Sequence, residues 1–188
     1  MASDTQGDKE RFMGFSEDIK KSNTDEWYTY AEDVQLIVPY LKNKGFHKIL
    51  CPFDKRESKF VEVLSNEGFK VYYSHIDNGV DFFNIKNLSD YDAVVSNPPF
   101  SKRQSILQRL FDAKVPFALI INMNGLFDRK SRWNLFKDND FELLIPKGRM
   151  KFFNDSVSDI KQSSPNFQSI FLCSGIANKQ IEFIDTGR

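Results

Sequence analysis

The chain has little of what would make it a metalloprotein, a disulfide scaffold or a membrane protein. It holds two cysteines and two histidines in 188 residues. Cys51 and Cys173 each end a predicted strand and lie far apart, and with His47 and His75 they make no metal-ligand spacing. Neither a metal site nor a disulfide framework is expected, and a reducing cytoplasm is the simplest compartment. The opening "MASDTQGDKERF" lacks an apolar signal core, and no hydrophobic run approaches a membrane span. An excess of one charge is missing as well: Lys plus Arg and Asp plus Glu are both 26, a formal net charge of +0. A nucleic-acid partner would therefore have to be held by a local patch. There are no internal repeats or low-complexity stretches.

What remains is an ordinary globular composition, 40% hydrophobic and 28% charged, with 19 phenylalanines to fill a core. The length suits one domain. Residues 1–25 are polar and aperiodic and are expected to form a flexible arm. An aromatic lead-in, "DEWYTY", precedes a helix expected over 32–43, with a kink or tighter turn at Pro39 and a stop at Gly45. "HKILCPF" reads as a strand and "ESKFVEVLSNEG" as an amphipathic helix. "FKVYYSHI" and "YDAVVS" are strands, "SILQRLFDA" a helix, and "PFALIIN" a strand apolar enough to be buried on both faces. A short helix near Arg132 precedes the strand "FELLIP", and "NFQSIFLCS" and "KQIEFID" close the chain around a turn at Gly175. Strands alternating with helices predict an α/β fold with a mostly parallel sheet, and the last two strands an antiparallel finish. Ligands in such sheets bind beyond the carboxyl ends of the strands.

One stretch at that edge asks for an explanation. In "YDAVVSNPPFSKRQSIL" a strand runs directly into Asn97-Pro98-Pro99-Phe100. Two prolines remove two donors and fix two φ angles, so the loop is stiff. A side-chain amide oxygen and a neighbouring rigid carbonyl can grip both hydrogens of an exocyclic amino group, and a ring three residues on can stack on a flipped base. The bland alternative is a strand-ending turn with a hydrophobic plug.

"SNPPF" resembles the Asp/Asn-Pro-Pro-Tyr/Phe signature of amino-methyltransferases that use S-adenosylmethionine. "DEWYTY", "CPFDKRESKFVEVL", "GVDFF" and "SSPNFQSIFLC" resemble, in the same order, blocks of small phage-type adenine-specific (N6) DNA methyltransferases. The likeness covers most of the chain after about residue 24. It implies a Rossmann-like methyltransferase fold over 26–188, S-adenosylmethionine as cofactor, direct methyl transfer to a flipped adenine of DNA, and a host cytoplasm if phage-encoded. A separate target-recognition domain would normally follow in this motif order; the chain stops at Arg188 with no room for one, so weak or short sequence preference, or help from a homodimer or recognition partner, is expected. RNA or protein-glutamine methylation, or a non-catalytic methyltransferase-like module, are the alternatives.

The resemblance assigns Asn97, Pro98, Pro99 and Phe100 to catalysis, with Asn97 also beside the cofactor. Relatives often have Asp-Pro-Phe and a glycine-rich turn after the first strand. Here Pro52-Phe53 are kept, Cys51 stands in the acidic place, and there is no Gly-x-Gly. Asp54 is expected to take over by pairing with the cofactor's ammonium, and Ser58 or the helix N-terminus to meet its carboxylate; otherwise the bulky "DKRES" turn fills the pocket. Ser74, His75 or, slightly late, Asp77 would grip the ribose. Asp81 would receive the adenine's amino group with Phe82 against the ring, unless Phe82 and Phe83 are plain core. Trp27, Tyr28 and Thr29 either close over the cofactor or staple the first helix. Cys51-Pro52 reverses the order of the cytosine-C5 methyltransferases, and Cys51 is read as merely a small residue. Three basic clusters follow three strands: Lys102 and Arg103; Arg129, Lys130 and Arg132; Lys147, Arg149 and Lys151. Together they are expected to contact phosphates, with Arg149, Phe152 and Phe153 lining a target-base pocket.

Overall fold

A computed structural model describes residues 28–153 and 167–187. The expected N-terminal arm, Trp27 and residues 154–166 lie outside the described residues. A two-residue strand β1 (Tyr28–Thr29) leads into α1 (Ala31–Val34), a 3-10 turn over Gln35–Ile37, and α2 (Val38–Asn43). Pro39 explains the break: it has no N–H to continue the preceding turn and sits in the first turn of α2, where none is needed. β2 (Lys48–Cys51), α3 (Lys59–Asn66), β3 (Lys70–Tyr73), β4 (Ala93–Ser96), α4 (Arg103–Ala113), β5 (Phe117–Asn122), α5 (Lys130–Lys137), β6 (Glu142–Pro146), β7 (Phe152–Phe153), β8 (Ser169–Ser174) and β9 (Ile181–Ile184) follow. β3 is shorter than expected because the chain turns at Ser74 and His75 into a 3-10 turn over Ile76–Asn78.

The sheet is mixed and mostly parallel, in the order β3-β2-β4-β5-β8-β6-β9. β2 pairs parallel with β3 on one side and β4 on the other, and β4 continues parallel to β5. The strand order thus reverses between β2 and β4. At such a switch point the two following loops leave in opposite directions and open a crevice. β8 is antiparallel to both β5 and β6, and β9 is parallel to β6.

Strand alternation divides the core. Ile49, Cys51, Ala93, Val95, Ala118, Ile120 and Phe171 pack with Val34, Ile37, Leu41, Phe60 and Leu64 on one face. Leu50, Val94, Phe117, Leu119, Ile121 and Leu172 pack with Ile106, Leu107, Leu110 and Phe136 on the other. β5 is accordingly apolar on both sides, as its sequence implies. Among the described residues no helix is long and apolar enough to cross a membrane.

The expected finish takes an unexpected form. β8 and β9 do not pair with each other, because β6 lies between them. The chain must pass over the amino end of β6 to reach the far edge. Glu142, the first residue of β6, holds that passage: its carboxylate accepts from the backbone N–H groups of Gly175, Ile176 and Ala177 at 3.0, 3.1 and 3.1 Å. A neutral amide can accept fewer and weaker bonds there. Glu142→Gln is expected to destabilise the protein by about 1–2 kcal/mol in chemical denaturation.

Candidate functional site

The crevice between β2 and β4 is built around one acid. Asp54 follows β2, and its N–H donates to the carbonyl of Ser74 at 3.1 Å, so the loop is tied to the end of β3. Its carboxylate is buried. Oδ1 accepts from the Ser58 hydroxyl and Oδ2 from the Ser96 hydroxyl. Ser58 also caps α3 by accepting from the Phe60 N–H at 3.2 Å. Burial pushes the Asp54 carboxyl up to about 6, against the opposing pull of the two hydroxyls.

A cavity of about 380 Å³ opens beside this acid, within the roughly 300–1,000 Å³ usual for small-molecule sites. Pro52, Phe53, Asp54 and Ser58 border it from the β2 side, and Asn97, Pro99 and Lys102 from the β4 side. The "DKRES" turn does not plug it: Arg56 and Glu57 are exposed, and Lys55 edges the cavity while pairing with Asp77 at 2.7 Å. Among the three ribose candidates only His75 borders the cavity. Its Nδ1 accepts from the Asp77 N–H at 3.1 Å, which leaves the ring proton on Nε2 when His75 is neutral. The Ser74 hydroxyl instead donates to the Pro52 carbonyl at 3.5 Å, and hydrogen bonding to Lys55 holds the Asp77 carboxyl below its ordinary value.

Asp81, Phe82 and Phe83 form the next wall. Asp81 caps a 3-10 turn over Phe82–Asn84, accepting from the Phe83 N–H at 3.0 Å. The rings of Phe53 and Phe82 lie 5.0 Å apart. Phe82 is both core and lining, which joins the two readings of it. Tyr28 and Thr29 form a roof: β1 pairs antiparallel with β7, and Tyr28 stacks on Phe153 with centroids 5.4 Å apart. Thr29 Oγ1 is buried with no hydrogen-bond partner among the described residues, the kind of orphan that a ligand relieves.

In the Asn-Pro-Pro-Phe loop Asn97 borders the cavity with its Oδ1 screened from bulk water. Pro98 is buried and, like Phe100, does not border the cavity; the Pro99 carbonyl accepts from the Lys102 N–H at 3.2 Å, closing a 3-10 turn over Phe100–Lys102. Phe100 is half-buried and meets Phe167 edge-on at 6.3 Å. Cys51 is buried in the core, where burial pushes its thiol well up.

The basic clusters separate into two kinds. Lys102, Arg129, Lys130, Lys147, Arg149 and Lys151 are exposed, on loops that follow the carboxyl ends of β4, β5 and β6. Gln168 joins two of these loops, accepting through its carbonyl from Met123 N–H at 2.9 Å and donating through Nε2 to the Gly148 carbonyl at 2.8 Å. Arg132 must be withdrawn from that surface: it is buried, and its guanidinium donates to the carbonyls of Leu126 and Gly125 and to Asp128. Arg103 is half-buried and donates to the Asn122 carbonyl at 3.1 Å, tying α4 to the end of β5. Phe152 leaves the expected base pocket, because it is core, whereas Phe153 is half-buried and packs on Tyr28, which borders the cavity, and, at 5.1 Å, on Tyr30.

Residue-by-residue reading missed Ser96, Lys55 and Arg109. Ser96 had a signal, since a hydroxyl at the end of an otherwise apolar strand needs a partner. Compared with known proteins, the chain matches no family model and no curated protein.

The raised Asp54 carboxyl makes stability depend on pH. The folded state binds its proton more tightly than the unfolded state, so this contribution is full below about 4 and is lost as pH rises through about 6. Asp54→Asn is expected to remove a fall of at most about 3 kcal/mol between those limits, read as a flattened dependence of melting temperature on pH.

Proposed function

We propose that the chain is a Rossmann-like, S-adenosylmethionine-dependent methyltransferase. Within that class, the reading the site supports best is methylation of the N6 amino group of adenine in DNA. One observation carries it. A buried acid after β2 and a doubly proline-stiffened loop after β4 border the same cavity at the point where the strand order reverses.

The residues present fit the cofactor in kind. Asp54 suits a cationic ammonium, and Lys55 with the positive end of α3 suits a carboxylate. His75 can donate from Nε2 to a ribose hydroxyl, Phe53 and Phe82 offer apolar faces to a purine, and Asp81 offers an acceptor to its amino group. When bound, the cofactor supplies a methyl carbon activated by an attached sulfonium.

The chain's own contribution is to hold the amine. The Asn97 amide oxygen and the Pro98 carbonyl accept its two N–H bonds, which leaves the nitrogen lone pair free to point away from both. Pro98 and Pro99 keep those acceptors from relaxing, so little reorganisation is needed at the moment of transfer. Phe100 supplies a face for a base swung out of its helix, and the exposed cations supply phosphate contacts. A cytoplasmic setting and assistance from a second copy or a recognition partner belong to the same reading.

Methyl groups labelled on S-adenosylmethionine should appear in adenine of DNA. Asn97→Ala should reduce that transfer about 100-fold or more while calorimetric binding of the cofactor stays measurable. Label in RNA or protein instead would redirect the substrate. Binding without transfer to any of the three would leave a non-catalytic module, and no binding at all would sink the methyltransferase reading.

A further inference from the structure

Arg109 lies on α4, outside every predicted site, yet three of its interactions converge on the wall of the cavity. One guanidinium nitrogen, Nη1, donates to the Phe83 carbonyl, and Nη2 donates to the Ile85 carbonyl. The guanidinium carbon stands 5.1 Å from the centroid of the Phe82 ring. The segment it grips is a single 3-10 turn, closed by Asn84 N–H to the Asp81 carbonyl at 2.9 Å and Ile85 N–H to the Phe82 carbonyl at 3.2 Å. Such a turn has little rigidity of its own. α4, by contrast, is fixed by Ile106, Leu107 and Leu110, all fully buried in the core.

We infer that Arg109 is a positioning residue: it transfers the rigidity of α4 to the turn carrying Asp81, Phe82 and Phe83, and thereby sets affinity for the purine end of the ligand. This rests on the reading of the cavity as a site for S-adenosylmethionine. The guanidinium is suited to it, because its planar fork reaches two carbonyls while its face lies over a ring. A lysine keeps the charge but has no fork and cannot span both carbonyls in the same geometry.

The experiment compares wild type, Arg109→Lys and Arg109→Gln as full chains, each alone and with Phe82→Leu. It reads calorimetric affinity for S-adenosylmethionine, and KM and kcat for methyl transfer. Both Arg109 variants should bind about tenfold more weakly, the loss of roughly one charge-assisted hydrogen bond, with KM raised and kcat within about twofold. The loss should shrink in the Phe82→Leu background, because part of the route runs through that ring. If Arg109→Gln does not fold, Arg109→Lys carries the comparison. Unchanged affinity in Arg109→Lys, or a loss that appears in kcat and not in affinity, overturns the positioning role and leaves the methyltransferase reading intact; an equal loss with and without the Phe82 ring overturns the route through that ring and assigns the effect to the two carbonyl bonds. A wild-type protein that does not bind S-adenosylmethionine overturns both.

Discussion

A carboxylate taken out of water with no paired cation among the described residues is the constraint around which the crevice is arranged. Asp54 is buried, and its two oxygens are met by hydroxyls from different elements, Ser58 at the head of α3 and Ser96 at the end of β4. Its backbone is tied to the end of β3 through Ser74. A single residue therefore fixes the mutual positions of three loops. The hydroxyls offset part of the desolvation cost, but burial still prevails and the group leans toward neutrality. An arriving cation would remove that tension, so the acid that organises the loops is also the one suited to recognise a positive ligand.

The rest of the cavity draws rigidity from three different sources. Asn97 belongs to a loop stiffened covalently by Pro98 and Pro99. The Asp81–Phe83 wall is held by hydrogen bonds from a helix fixed in the core. The roof hangs from the two-stranded β1–β7 ribbon, which is separate from the main sheet, and is held by Tyr28 and Tyr30 against Phe153. Two register pairs join that ribbon, so the roof is the wall with the least backbone support of its own.

Much of this was legible in the sequence because it is encoded locally. The short continuous apolar runs gave β4 and β5, Pro39 announced the break between α1 and α2, and the prolines marked the loop after β4. Asp54, His75, Asp81 and Asn97 border one cavity because each follows, or lies soon after, a strand ending on the same edge. What could not be read depends on distant partners. The insertion of β8 between β5 and β6 is a matter of strand order, which no local pattern specifies. The cationic character of Arg103, Arg132 and Arg109 is plain from their identity. Their engagement with carbonyls of Asn122, Gly125, Leu126, Phe83 and Ile85 is not. Phe152 failed as a base-pocket residue for the same reason: an aromatic side chain looks alike whether it faces a ligand or its own core.

Withdrawing Arg103 and Arg132 changes the electrostatics of the proposed DNA face. The exposed cations are spread over three loops of a molecule with no net charge, so no broad positive field draws a polyanion in. Lys147 already has Asp185 at 3.4 Å, but both are exposed, and such a pair is weak enough for a phosphate to displace. On a nucleic acid, a footprint of this size would neutralise only a few phosphates, and salt would weaken each contact. On the proposed reading most of the discrimination would then come from the base itself, through the carbonyl pair and the ring after β4. That would place the burden of recognition on the same short loop whose stiffness first set it apart.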